Sequence, residues 1–148
     1  MKKHSLLFIS ILLIYSCQKE YQARDISKVT IQEFKIDSSS IRAIHAISET
    51  EMVYAGSIGD IGMTNNAGKT WKVQRINYND SIKPHFRSIA KTTTSIFSLA
   101  IESPALLYKT TNGNTELVYT ETHPKAFYDA MKFFDDQNGI AIGDPIDG

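Results

Sequence analysis

Two sets of side chains in this sequence have the types and spacing to do chemistry. Arg42, Arg87 and Tyr128 follow one another at offsets of 45 and 41 residues. Asp60, Glu102 and Asp144 recur with them, each a short way downstream. An arginine can grip a carboxylate through two parallel N–H bonds. Two carboxylates can hydrolyse a glycosidic bond when they stand about 5–10 Å apart. The same groups could instead pair with each other as struts between neighbouring repeats, and spacing alone leaves both readings open. Other chemistry is poorly served. Cys17 is the single cysteine, which excludes an internal disulfide and a multi-cysteine metal site. His45, His85 and His123 fall one to each repeat at unlike positions, so no metal is expected. Asp135-Asp136-Gln137-Asn138-Gly139 is acidic but lacks the spacing of a calcium-binding loop, and reads as a plain turn. No Gly-x-Gly-x-x-Gly follows a strand. Gly56, Gly59 and Gly62 sit in a β-turn setting, so no cofactor is expected.

The elements that must hold these groups come from a repeat. Ser40-Ile41-Arg42-Ala43-Ile44-His45, His85-Phe86-Arg87-Ser88-Ile89-Ala90 and Ala126-Phe127-Tyr128-Asp129-Ala130-Met131 open three successive units. The turn segments beginning at Thr64 and Thr110 are 46 residues apart. Short strands at a period of roughly 40–50 residues suit a β-propeller. The first unit reads as strands over 41–47, 52–57, 61–64 and 71–76. The second repeats them over 86–91, 96–101, 106–110 and 116–120. The third supplies 127–134 and 140–143. Val29–Phe34, rich in β-branched residues, reads as a closing outer strand. The expected fold is all-β: a β-propeller of four-stranded antiparallel blades over 28–148, with blades at about 40–76, 85–120 and 126–148. Two and a half blades cannot close a ring, because propellers have typically 4–8. The chain therefore reads as the N-terminal part of a longer protein. In an up-and-down blade, the inner strand begins on the face to which the second-to-third turn returns. That places Arg42, Arg87 and Tyr128 around a channel mouth, with Asp60, Glu102 and Asp144 outside them.

The N-terminus reads as an export signal. Lys2, Lys3 and His4 precede an apolar run from Leu6 to Tyr15, too short to span a bilayer comfortably. Ile14-Tyr15-Ser16-Cys17 resembles the lipobox of bacterial lipoproteins, with Tyr15 bulkier than the pattern prefers. The resemblance implies cleavage after residue 16 and a diacylglycerol on Cys17, with residues 17–27 as a polar tether. It also implies an exported protein held to a bacterial membrane by its N-terminal lipid, on the periplasmic or the cell-surface side. Once Lys2 and Lys3 leave with the signal, 14 basic residues face 16 acidic ones. No broad basic field remains for nucleic acid.

Thr64-Asn65-Asn66-Ala67-Gly68-Lys69-Thr70-Trp71 resembles the Asp-box, or BNR repeat, which marks the outer hairpin of a propeller blade. Asn66 replaces the aspartate that names the box. The second copy, Thr110-Thr111-Asn112-Gly113-Asn114-Thr115, lacks the tryptophan. Thr64, Asn66, Gly68, Thr70 and Trp71 are expected to be structural: an Asx side chain holds the turn, glycine relaxes it and tryptophan covers it. Pro104 to Gly113 and Phe133 to Pro145 resemble propellers related to the photosystem II assembly and stability factor, in its non-photosynthetic bacterial members. Such proteins are similar in fold to sialidases and xyloglucan-cleaving hydrolases. The Arg-Ile-Pro element that usually precedes sialidase boxes is absent, since Arg87 is followed by Ser88-Ile89. The resemblance implies a non-catalytic binding or assembly scaffold in the cell envelope, and the blade topology puts its protein or glycan partner on the face of Arg42, Arg87, Tyr128, Asp60, Glu102 and Asp144. The alternative is a carbohydrate-active hydrolase of the sialidase or xyloglucanase type.

Overall fold

The computed structural model describes residues 22–23, 25–37 and 39–147. The expected signal peptide at 1–16 and the lipid-bearing Cys17 lie outside the described residues. The chain divides into residues 1–33 and residues 34–148. In the first part, Asp25 caps a single 3-10 turn, Ile26–Lys28, by accepting from the Ser27 amide at 2.9 Å. Val29–Phe34 forms no strand, contrary to its composition. β-Branched side chains favour a pleated, half-buried surface, but a strand also needs an edge to take up its N–H and C=O groups.

Residues 34–148 fold into three antiparallel sheets. The first is β1 (Ile41–Ala46), β2 (Met52–Gly56), β3 (Asp60–Thr64) and β4 (Lys72–Arg75), paired in sequence order. The second is β5 (His85–Lys91), β6 (Ile96–Ile101), β7 (Ala105–Thr111) and β8 (Asn114–Glu121), with the same order. The third pairs β9 (Tyr128–Phe133) with β10 (Gly139–Gly143). These are the predicted strands, with ends displaced by a few residues. Each sheet is an up-and-down meander, as short polar turns between successive strands require.

The sheets stack through their faces. β5 packs on β1 and β2, and β9 packs on β5 and β6. β6 is covered by a sheet on each side, so all six of its residues are buried. That explains why Ile-Phe-Ser-Leu-Ala-Ile does not alternate as a one-sided strand would. The outer strands β4 and β8 are mostly exposed and rich in polar residues. Between the first two sheets, Val53, Ala55 and Ile61 meet Phe86, Ile96, Ala100, Leu106 and Tyr108. The Phe86 and Tyr108 rings meet edge to face at 5.8 Å. Complete burial of Phe86 contributes about 1.5–3 kcal/mol from the transfer of its side chain out of water. Phe97 stacks on Phe133 at 4.3 Å and seats the third sheet on the second.

The two complete sheets solve one packing problem in opposite ways. Tyr54 on β2 faces Gly62 on β3, whereas Ser98 on β6 faces Tyr108 on β7. Both pairs occupy the same register position. A Cβ on Gly62 would lie 2.0 Å from Tyr54 Cε1, so the glycine is the space the ring fills.

Candidate functional site

A β-bulge opens each inner strand. In β1 the register slips between Ile41 and Ala43, so Arg42 is the extra residue. In β5 it slips between Phe86 and Ser88, leaving Arg87 unpaired with β6. In the third sheet Gly143 pairs with Tyr128 and Ile142 with Ala130, so the extra residue is Asp129. Bulges bend a strand and re-aim one side chain. This fold therefore presents one charged side chain at the same point of three successive sheets: Arg42, Arg87 and Asp129.

That register corrects the alignment expected for Tyr128. Tyr128 is the structural counterpart of Ile41 and Phe86, one residue short of the bulge. Its offset in sequence is misleading because the intervening segment between the second and third sheets is not the length of that between the first and second. Asp129 was missed. Aligning on the small residue that follows each bulge, Ala43, Ser88 and Ala130, would have found it.

The three bulge residues are placed differently. Arg42 is exposed and, among the described residues, enters no ion pair. Arg87 Nη2 lies 3.3 Å from Asp129 Oδ1, and its guanidinium carbon stands 5.7 Å from the centre of the Phe127 ring. Both partners of this ion pair are more than a third exposed, so it contributes at most about 1 kcal/mol. It joins the second sheet to the third while leaving polar atoms open to solvent.

The carboxylates do not form the ring expected of them. Asp60 is only 1% exposed, at the start of β3, and belongs to the sheet interior. Arg75 on β4 holds it, with Nε 2.7 Å from Oδ1 and Nη2 3.4 Å from Oδ2. The Asp60 hydrogen bond keeps the Arg75 guanidinium above its already high range. Nearby, burial pushes the Tyr54 hydroxyl up, and the Asp60 charge adds to this. Asp60 therefore leaves the candidate partner face. The physical reason is register: Asp60 aligns with buried Leu106, not with Glu102. Glu102 is exposed in the β6–β7 turn with φ 82. Asp144 is exposed just beyond β10, its amide donating to Phe127 O at 2.9 Å.

The β3–β4 turn carries different chemistry. Thr64 Oγ1 accepts from the Asn66 amide at 3.3 Å and from the Gly68 amide at 3.0 Å, and donates to Asn66 Oδ1 at 3.0 Å. Asn66 Oδ1 also accepts from the Thr70 amide at 3.0 Å, while Asn66 Nδ2 donates to Thr70 Oγ1 at 2.8 Å. Gly68 sits at φ 84, which a side chain rarely tolerates. The Trp71 ring meets Tyr54 edge to face, with centres 5.1 Å apart. These side-chain bonds close within the loop, while the Ala67 amide donates to Thr50 O at 2.8 Å.

Elsewhere, Asp135 accepts from the Gln137 and Asn138 amides at 2.8 and 2.7 Å, and from Asn138 Nδ2. These bonds hold its carboxyl below the usual range. Among the described residues no three His, Cys, Asp or Glu side chains converge as a metal site would. At the end of β8, Tyr119 donates to Glu121 Oε2 at 3.1 Å, and the polar contact with Tyr128, followed by that with Glu121, pushes its hydroxyl up to about 12.

Solved structures share this arrangement. One, described as YCF48 bound to D1 peptide, superposes with a TM-score of 0.60 over 72% of this chain, at 15% sequence identity. The fold is that of β-propeller blades. The match covers 34% of the other chain, so this sequence spans about a third of that structure's length. No protein-family model matches the sequence, and no curated protein matches it.

Proposed function

We propose that this chain belongs to an exported, lipid-anchored bacterial propeller that acts as a non-catalytic binding or assembly scaffold in the cell envelope. The observation that carries the reading is the repeated bulge. Three sheets, unlike in sequence, each use the one irregular residue of their inner strand to present a charge at the same end. Structural stability does not demand this, since the ion pair it yields is half exposed. Glu102 and Asp144 extend the polar surface at that end of the sheets. Tyr128 and its neighbour Tyr119 flank it. The box-like turn at the other end is occupied with its own hydrogen bonds. Asp60, which a hydrolase would have needed in the open, is tied to Arg75. A protein partner is favoured over a glycan because the similar propeller was solved with a peptide bound.

Cys17 supplies the anchor in this reading, with two or more acyl chains giving stable attachment. The test uses the protein in its native envelope. Mass spectrometry of the mature N-terminus is expected to show a lipid-modified Cys17. Arg42→Ala combined with Arg87→Ala is expected to reduce partner capture in crosslinking at least about tenfold, as loss of two charged hydrogen-bonding groups predicts. The melting temperature should move by no more than a few degrees. Undiminished capture would defeat the proposed face. Turnover of sialosides or β-glucans, lost on replacing Glu102 or Asp144, would replace the scaffold with an enzyme.

A further inference from the structure

A cavity lies away from the bulges. It occupies about 500 Å³ between the first two blades, at the end where the β1–β2, β3–β4, β5–β6 and β7–β8 turns gather. Ligand sites commonly fall at about 300–1,000 Å³ and are mainly apolar with a few placed polar groups. Here Ile47, Met63 and Ile96 supply apolar wall. Lys72 stands opposite Met63 across the β3–β4 ladder, and Lys91 opposite Ile96 across β5–β6, so each blade contributes one ammonium beside one apolar side chain.

We infer that this inter-blade cavity binds a small amphipathic carboxylate, an apolar body ending in a single anionic group. The charges specify one anion. Lys91 is partly committed, donating to Thr92 O at 2.9 Å with Asp136 close by. Lys72 enters no ion pair among the described residues. Glu51 is the one acid among the described lining residues and Asp136 offsets Lys91, which leaves Lys72 as the cation an anion would meet. Thr94 adds a hydroxyl at the exposed rim. None of the described lining residues is aromatic, so they offer no stacking platform of the kind that favours a sugar ring. The cavity is at the opposite end of the blades from Arg42 and Arg87, and either site can fail without the other.

Octanoate is the probe and octanol its uncharged control, titrated into the full chain by NMR or calorimetry. Octanoate is expected to bind saturably at one site, about tenfold more tightly than octanol, as one charge-assisted contact predicts. Lys72→Met should remove that advantage and leave octanol unchanged. Met63→Trp should block both ligands by filling the cavity, and Arg42→Ala with Arg87→Ala should affect neither. Lys72 is exposed, so its replacement tests the idea even if the tryptophan variant folds poorly. Equal affinity for octanoate and octanol, non-saturable uptake, or octanoate binding indifferent to Lys72→Met would overturn the inference.

Discussion

Asp60 shows how one residue's role depends on its surroundings. Its carboxylate is almost wholly buried, and Arg75 is the cation that neutralises it. Leu106 takes the same register position in the second blade, so the site itself accepts an apolar side chain. Arg75→Ala should therefore destabilise the fold by stranding a buried charge. Loss of a buried ion-pair partner costs about 3–5 kcal/mol. Arg75 is half exposed and water screens the pair, so about 2–3 kcal/mol is the expected loss. Asp60→Leu with Arg75→Leu should recover most of it. Denaturant unfolding of both variants decides the point, and a double variant no better than Arg75→Ala would show that the pair does more than neutralise itself.

At the scale of the element, each blade is a meander whose faces must interlock with a neighbour. The Tyr54–Gly62 and Ser98–Tyr108 pairs place one large ring at the same level of each sheet, from opposite strands. Tyr54 is fully buried against Trp71 and cannot swing aside. Gly62→Ala should cost about 1–3 kcal/mol through overpacking. The same substitution in a Tyr54→Ser background should cost clearly less, which a double-mutant cycle by thermal unfolding would measure. Additive losses would mean that Gly62 is required for its backbone and not for the space above it. The periodicity of the strands was legible from the sequence because each alternates or runs apolar to fit its cover. The bulges were not, since a single extra residue leaves hydrophobic patterning intact while shifting which side chain turns outward.

Across the whole molecule, blades are joined by few polar links. Asp136 accepts from the Thr93 amide at 2.6 Å and from its hydroxyl, and the Met131 amide donates to Ser88 Oγ at 3.0 Å. The Thr93 hydroxyl and amide hold the Asp136 carboxyl below its usual range. A carboxylate with a depressed folded pKa adds stability above its unfolded value near 3.9, and that stability disappears as pH falls through the folded value. The third sheet should accordingly loosen first in acid. Hydrogen exchange of the β9 amides should rise more between pH 6 and pH 3 than that of β6, after correction for intrinsic rates. Asp136→Asn should flatten that difference. An unchanged pH response in the variant would assign the acid sensitivity to another group.

From its residues alone the sequence determined an all-β chain of repeated meanders, and where each turn falls, because strand period and turn chemistry are local properties. It also marked Thr64, Asn66, Gly68, Thr70 and Trp71 as a turn that serves itself. Tertiary structure decided which charges share a surface. Asp60 went inward because its strand register faces the sheet interior, and Asp129 replaced Tyr128 because the segment joining the second sheet to the third differs in length from that joining the first to the second. The cavity between the first two blades was beyond sequence reasoning for the same reason: Lys72 and Lys91 come from different sheets, and only the packing of one blade on the next brings them to one wall.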